Sequence, residues 1–530
     1  MDDGVETSSS CRRQRVCEEE EEDRISRLPD SILIHILSFL PTIDAVRTVL
    51  VPRFRHLWHF LPTLKFDHYW YTNYHYPQVD LPFFHEKFLD FVRHVLILHQ
   101  NATINKFVLK LELNLLYSNL GEDISDHLEK YANRERRMAS EVDSWIHFAM
   151  RKNVKVLNLD FLEIGDSQPN ASYRLPSVVF RGKYLTELKL IACEIKPIGE
   201  IQLNCLKLLS LKECVLNDEI IKQIISGCSV LEELSLLGCY GLSRLAFRNP
   251  SIKSLILYHE ALYNERLEIS CPGIETLDMA GSMELVDFVD VSSIVVSSTS
   301  FCFGLENSSE KYQKVVELLK KLSRGKMFRT CNECILAMEK HNLFYGIRQQ
   351  RAVACLVFSA WQLINQPDLL FGWKYLEFEL HPTKWHQPGI SCLLRTSPFL
   401  ESLAMYIYTE SNQLSPPNGY EWMESHSVDG ENFWSSQEGT FHCLQNHLKT
   451  VKLYGYITEP YVFDIIEFLL KNSMVLEKLE ISTQATFKPS QQALYSRWKA
   501  EYTKEQRVEF SQKLFSLPRA STRAVILFSP

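Results

Sequence analysis

The chain has 530 residues, 45% of them hydrophobic, with a formal charge of −8 at pH 7 and a pI near 6.1. That acidic balance removes any general electrostatic pull toward nucleic acid, and no apolar run reaches the roughly 20 residues that span a bilayer. The amino terminus does not read as a signal peptide, because the acidic block Glu18 to Asp23 stands where an apolar stretch is required. A cytoplasmic location, a nuclear one or both are expected. Residues 1–22 read as a disordered acidic tail, in which Arg12-Arg13-Gln14-Arg15 is too short to name as a nuclear import signal.

The first predicted elements are helical. Leu28-Pro29-Asp30 predicts a helix start, since proline is tolerated in the first turn, where its missing N–H has no intrahelical partner anyway. Ile32, Leu33, Ile36, Leu37 and Leu40 then recur at spacings that make one broad apolar stripe, and Pro41 ends it. Thr42 is placed to cap a second helix through Ala45, Val46, Val49 and Leu50, which Pro52 closes. A third short helix carries Leu57 and Trp58. Three short helices with this many apolar residues cannot bury all of them against one another, so a surplus stripe is expected to meet a partner. The alternative is that these residues form only the core of an amino-terminal helical domain.

The runs Asp23-Arg-Ile-Ser-Arg-Leu-Pro-Asp30, Ile36-Leu-Ser-Phe-Leu-Pro-Thr42, Ala45-Val-Arg-Thr48 and Arg55-His-Leu-Trp58 make residues 23–66 resemble the F-box of plant F-box proteins with leucine-rich repeats and a carboxyl-terminal FBD-like region. In that family the F-box docks on the Skp-type adaptor of an SCF ubiquitin ligase. The resemblance therefore implies that partner, with Leu28, Pro29, Ile32, Ile36, Leu37, Leu40, Val46, Val49 and Trp58 as contacts. The chain departs from the family at Val49-Leu-Val-Pro52-Arg-Phe54, where Val-Leu-Ser and a Lys/Arg-Arg-Trp are usual.

Residues 67–300 read as linker, cap and leucine-rich repeats. The crowd Tyr69-Trp-Tyr-Thr-Asn-Tyr-His-Tyr76 is either a linker packing onto the first repeat or a ligand-binding patch. Phe107 to Leu113 predicts a strand of a capping repeat, and Val142, Trp145, Ile146, Phe148 and Ala149 lie at helical spacing before a first clear repeat at Val154-x-x-Leu157-x-Leu159. The pattern L-x-x-L-x-L-x-x-N/C, in which alternate side chains of a short strand point inward, then starts at Leu185, Leu206, Leu231, Ile252 and Ile274. Between two of these strands, Asn217 to Gly227 predicts a helix with a capping Asn, an acidic first turn and paired isoleucines. Residues 301–370 read as a helical insertion or irregular repeats. Repeats resume over 371–410, at Trp373-x-x-Leu376-x-Phe378 and Leu400-x-x-Leu403-x-Met405. Residues 411–440 read as a flexible loop, and 441–530 as the FBD-like region with terminal repeats, at Leu448-x-x-Val451-x-Leu453 and Leu476-x-x-Leu479-x-Ile481. The expected fold is α/β: a three-helix F-box followed by a leucine-rich-repeat solenoid, or horseshoe, with helices on its convex side.

Fourteen cysteines invite a disulfide or metal reading, but Cys193, Cys214 and Cys239 fall on the repeat position that lines the bend after each strand and are expected to be buried and reduced. Cys331 and Cys334 form a C-x-x-C pair without a second pair or His pair at zinc spacing, so no metal is expected. None of the hydrolase-elbow, phosphate-loop, dinucleotide or H-E-x-x-H motifs occurs. Neither an enzyme nor a cofactor is expected. Target-facing positions are those flanking the inward leucines: Lys189, Ser210, Ser235, Leu237, Ile256, Tyr258 and Asp278, a mixed surface suited to a protein rather than a phosphate backbone. The resemblance implies a substrate-recognition subunit of an SCF-type E3 ubiquitin ligase whose repeats bind an unknown target protein. A non-degradative interaction scaffold and a small-molecule receptor are the alternatives.

Overall fold

The structure, a computed structural model, describes residues 25–69, 71, 81–111, 128–161, 173–259, 266–282, 285–302, 317–330, 370–380, 384, 386–407, 432–437, 440–458, 461–483 and 502–529. The acidic tail, most of the tyrosine-rich run, the Cys331 and Cys334 pair and most of the 411–440 segment lie outside these residues.

Alternation of apolar and polar side chains at period two is what a strand with one buried face requires, and each leucine-rich match forms such a strand. They are β1 (Thr63–Asp67), β2 (Lys106–Lys110), β3 (Val156–Asp160), β4 (Glu187–Ile191), β5 (Leu208–Lys212), β6 (Glu233–Leu237), β7 (Ser254–His259) and β8 (Thr276–Ser282). Then follow β9 (Val296–Cys302), β10 (Met327–Thr330), β11 (Tyr375–Leu380), β12 (Ser402–Ile407), β13 (Thr450–Gly455), β14 (Lys478–Ser482) and β15 (Val525–Ser529). These form one 15-stranded sheet whose spatial order is the chain order. Successive strands pair in parallel with matched registers, as at Leu188↔Leu209 and Leu190↔Leu211.

Parallel neighbours need a crossover, and helices supply several. Helices α1 (Asp30–Leu37) and α2 (Thr42–Arg47) precede the sheet; α3 (Leu81–Leu98) joins β1 to β2, and α4 (Leu128–Arg151) joins β2 to β3. Helix α5 (Asp218–Ser226) lies between β5 and β6, and its Asn217 side chain accepts from the Ile220 N–H at 2.9 Å, as the cap pattern predicts. Toward the carboxyl end, α6 (His386–Thr396), α7 (His442–Asn446), α8 (Val462–Asn472) and α9 (Lys504–Phe515) fill the same role. Helical side chains such as Val142, Trp145, Ile221 and Ile465 share one continuous core with the inward strand rows. The opposite rows are half-buried or exposed in strands such as β4, β5 and β13. One face of the sheet is therefore covered and the other is open.

Thr63 to Phe66, the end of the segment read as the F-box, also form the first strand of the sheet. The three-helix reading becomes two short α-helices followed by 3₁₀ turns at Thr48–Leu50, Pro52–Phe54 and Leu57–Phe60. Within the 301–370 segment, Met327–Thr330 is a regular rung, paired with its neighbours on both sides. Its predecessor β9 escapes the leucine pattern because its inward positions are Ser297 and Thr299, both essentially fully buried.

The bend after each of three repeats is built alike. Ala192, Glu213 and Gly238 have φ of 55°, 51° and 60°, the left-handed region that turns the chain sharply. The thiol that follows points back at the preceding rung: Cys214 Sγ lies 3.5 Å from the Leu190 carbonyl and Cys239 Sγ 3.3 Å from that of Leu211. Cys193 and Cys214 are fully buried, and all three are free. Burial pushes the Cys193 and Cys239 thiols well up, which keeps them protonated and inert.

The amino-terminal core carries a pH dependence. His68 is 3% exposed, with its ring edge-on to Phe88 at 5.2 Å. Burial lowers its pKa from 6.5 to about 4, against a smaller opposing pull from Asp67. Because the folded pKa is the lower one, the unfolded chain takes up the extra proton as pH falls from 6.5 toward 4. Stability is complete above pH 6.5 and declines through that window, by about 3 kcal/mol from this group. Urea midpoints measured from pH 7 to 4 should show that decline, and His68→Gln should flatten it; an equal slope in both proteins would contradict the assignment.

Candidate functional site

Two surfaces stand out, one at each level of the architecture. The first is the outer side of the helical unit before β1. Helix α1 is only eight residues long and buries Leu33 and Leu37; Ala45, Leu57, Trp58 and Leu61 complete its contact with the core. What remains outside is strongly apolar. Ile32, Ile36, Phe39, Leu40, Val49, Leu50 and Val51 are exposed, Leu50 by 85% and Phe39 by 68%. Pro29 is exposed as well, while Leu28 and Val46 are half-buried. An apolar patch of this density on a monomer marks an interaction site.

Of the nine contacts implied by the resemblance, Leu37 and Trp58 are thereby corrected. They are 3% and 6% exposed and belong to the unit's own core. The reason is helix phase: Leu33 and Leu37 are one turn apart on the inward line, and Ile32 and Ile36 sit on the adjoining outward line. Phe39, Leu50 and Val51 are exposed beside them, although they are not among the contacts implied by the resemblance.

The departure at Val51 to Phe54 has a structural role. Pro52 opens a 3₁₀ turn that aims Arg53 back at the chain entrance. There Nε donates to the Ser26 carbonyl at 3.0 Å, Nη2 donates to that of Leu28 at 3.0 Å, and the guanidinium pairs with Asp30 at 2.5 Å. Arg53 thus holds the segment that presents Leu28, Pro29 and Ile32.

The second surface is the open face of the sheet. Parallel register places Lys189, Ser210, Ser235, Ile256 and Asp278 in one row, running directly across β4 to β8. Leu237 and Tyr258 sit side by side in the next row. All seven predicted positions therefore share this face, but Ser235 is fully buried and presents no surface to a partner.

The same row runs on past the segment where the leucine pattern fails, through Ser298, Arg329, Glu377, Ala404, Lys452 and Glu480. Arg329 Nε donates to Glu377 at 3.2 Å. Tyr406 and Tyr454 stack at 5.1 Å beside them. Asp278 has its carboxyl pKa raised by burial, opposed by the Ser298 hydroxyl and the Arg329 charge. Burial, with the Glu377 charge adding, raises the Tyr406 phenol. These residues escaped sequence reading because Arg329 and Glu377 are 48 positions apart, with 331–369 between them outside the regular pattern. Acid, guanidinium and aromatic groups alternate here with small residues, a composition that suits a protein surface. Among the described residues, no group of three or more His, Cys, Asp or Glu side chains is arranged to hold a metal ion.

Comparison with known proteins bears on both surfaces. The F-box domain model matches residues 25–65, the FBD model matches residues 437–481, and a model described as the LRR repeats of FBD-associated F-box protein At5g56370 matches residues 142–298. The chain is 27% identical to the putative F-box/LRR-repeat protein At3g18150 of Arabidopsis thaliana, over 87% of this chain and 86% of that one. It is 27% identical to the putative F-box protein At1g49610 of the same plant, over 75% and 88% of the two chains. Identity is 23% to the FBD-associated F-box protein At1g66310 of that organism, over 96% of each.

Proposed function

We propose that this chain, which carries an F-box, leucine-rich repeats and an FBD domain like the plant proteins it resembles, is the substrate-recognition subunit of an SCF-type E3 ubiquitin ligase. F-box domains generally bind Skp-type adaptors, and leucine-rich repeats generally bind target proteins. The observation that carries the reading is the exposed apolar patch of Ile32, Ile36, Phe39, Leu40, Val49 and Leu50, left uncovered although the rest of the unit is well packed. The ladder of strands is read as a leucine-rich-repeat solenoid, a horseshoe with its helices on the convex side, whose open face holds the target. Proteins of these domain families are adaptors rather than catalysts, and rate gain comes from keeping a target lysine close to the charged ubiquitin carrier, with the chemistry done by other subunits. The reading places the chain in the cytosol or nucleus.

Co-purification tests it. The wild-type chain should capture a purified Skp-type adaptor, and proteins co-purified with the chain should accumulate when the proteasome is inhibited. Failure to bind any Skp-type adaptor would defeat the ligase assignment. Binding to the adaptor without any change in target abundance would favour a non-degradative scaffold.

A further inference from the structure

A sheet of parallel strands ends in rows of unpaired N–H and C=O groups, and repeat arrays require something to close that end. At the amino-terminal edge the closing element is the F-box unit itself. Thr42, which sequence places as a helix cap, does not cap α2: the N-cap is Pro41 and has no side-chain bond. The Thr42 hydroxyl is 1% exposed and instead accepts the backbone N–H of Lys65, in β1, at 2.7 Å. The Lys65 ammonium donates in turn to the Phe39 carbonyl at 3.2 Å. The connection between the last 3₁₀ turn and the sheet is bonded just as densely. Gln100 N–H donates to the His59 carbonyl at 2.8 Å, Asn101 Nδ2 to that of Phe60 at 3.0 Å and Asn105 N–H to that of Pro62 at 2.7 Å. His99 Nε2 lies 2.9 Å from the Leu61 carbonyl. Trp58, Leu61, Leu64 and Phe66 run without a break into the core of the repeats.

We infer that the F-box unit is the amino-terminal cap of the repeat array, and that Thr42 is the positioning residue that fixes the apolar docking patch in one orientation to the open face of the sheet. The part concerning the docking patch rests on the function proposed above; the cap itself does not.

The test uses the full chain without adaptor. Thr42→Val keeps the shape but removes the acceptor, whereas Thr42→Ser keeps the acceptor. Hydrogen exchange at the Lys65 amide should be faster by about tenfold or more in Thr42→Val and close to wild type in Thr42→Ser. Spin labels introduced at Arg47 and Lys253 should give a narrow distance distribution in the wild type and in Thr42→Ser, and a broader one in Thr42→Val. If Thr42→Val fails to form the sheet while Thr42→Ser folds, the capping role is upheld by that route. Unchanged Lys65 exchange together with an unchanged label distribution in Thr42→Val would overturn the inference. Absence of adaptor binding in every variant would instead strike the proposed function, because neither exchange nor label distance involves the adaptor.

Discussion

Replacing Ile36 and Leu50 together with Asp is expected to weaken capture of a Skp-type adaptor by at least about a hundredfold while leaving the folded chain as stable as before. The two side chains are 42% and 85% exposed, so the new carboxylates remain solvated in the free protein. Exposed substitutions of this kind usually stay within about 0.5 kcal/mol. At a docked interface the balance differs. Each residue forfeits roughly 1.5–3 kcal/mol of apolar burial, and each carboxylate must also be desolvated. About 3 kcal/mol already exceeds a hundredfold in affinity. Calorimetric titration with purified adaptor measures the loss, and thermal unfolding of the same samples confirms the fold. Leu37→Asp is the contrasting control: at 3% exposure it should unfold the unit rather than spare it. Affinity held within about twofold in the double variant would mean that this patch is not where the adaptor binds.

Trp373→Ala is expected to be the most destabilising single change at the centre of the ladder, by about 3–5 kcal/mol. Trp373 is fully buried, stacked on Phe328 at 4.0 Å and 5° and on Phe371 at 4.0 Å and 9°, with Nε1 donating to the Leu322 carbonyl at 3.1 Å. It bridges β10 and β11, two rungs that the chain joins only through the long stretch 331–374. In an array stabilised by neighbour contacts, a weak rung divides the cooperative unit. Urea unfolding should therefore lose its single transition in Trp373→Ala and show the two halves separating. Tyr375→Ala, two residues along but 45% exposed on the opposite face, should shift the midpoint little. A Trp373→Ala protein that unfolds in one transition near the wild-type midpoint would refute the argument.

Rigidity and surface chemistry here come from different sources. Exposed rung-to-rung ion pairs such as Lys207–Glu232, Lys253–Glu275 and Lys374–Glu401, at 2.6–2.7 Å, contribute little individually because solvent screens them. The inward leucine rows and the backbone registers hold the array. Variation along the open face is therefore cheap in stability.

Sequence by itself determined the strands from 154 to 279, because two-residue alternation with leucine at fixed offsets is a local property that survives without knowledge of neighbours. It also determined the capped helix after Asn217 and the apolar excess of residues 28 to 58. Tertiary structure alone decided which of those apolar residues face out. Leu37 and Trp58 go inward while Phe39 and Leu50 remain outside, since short helices and 3₁₀ turns have no long period to fix their phase, and packing on β1 fixes it instead. The sheet likewise decided that Thr42 bonds a strand rather than a helix terminus, and that polar Ser297 and Thr299 occupy inward rows. Parallel register is what sets Arg329 beside Glu377 and Tyr406 beside Tyr454, as hydrogen bonding between strands joins positions that no spacing along the chain relates.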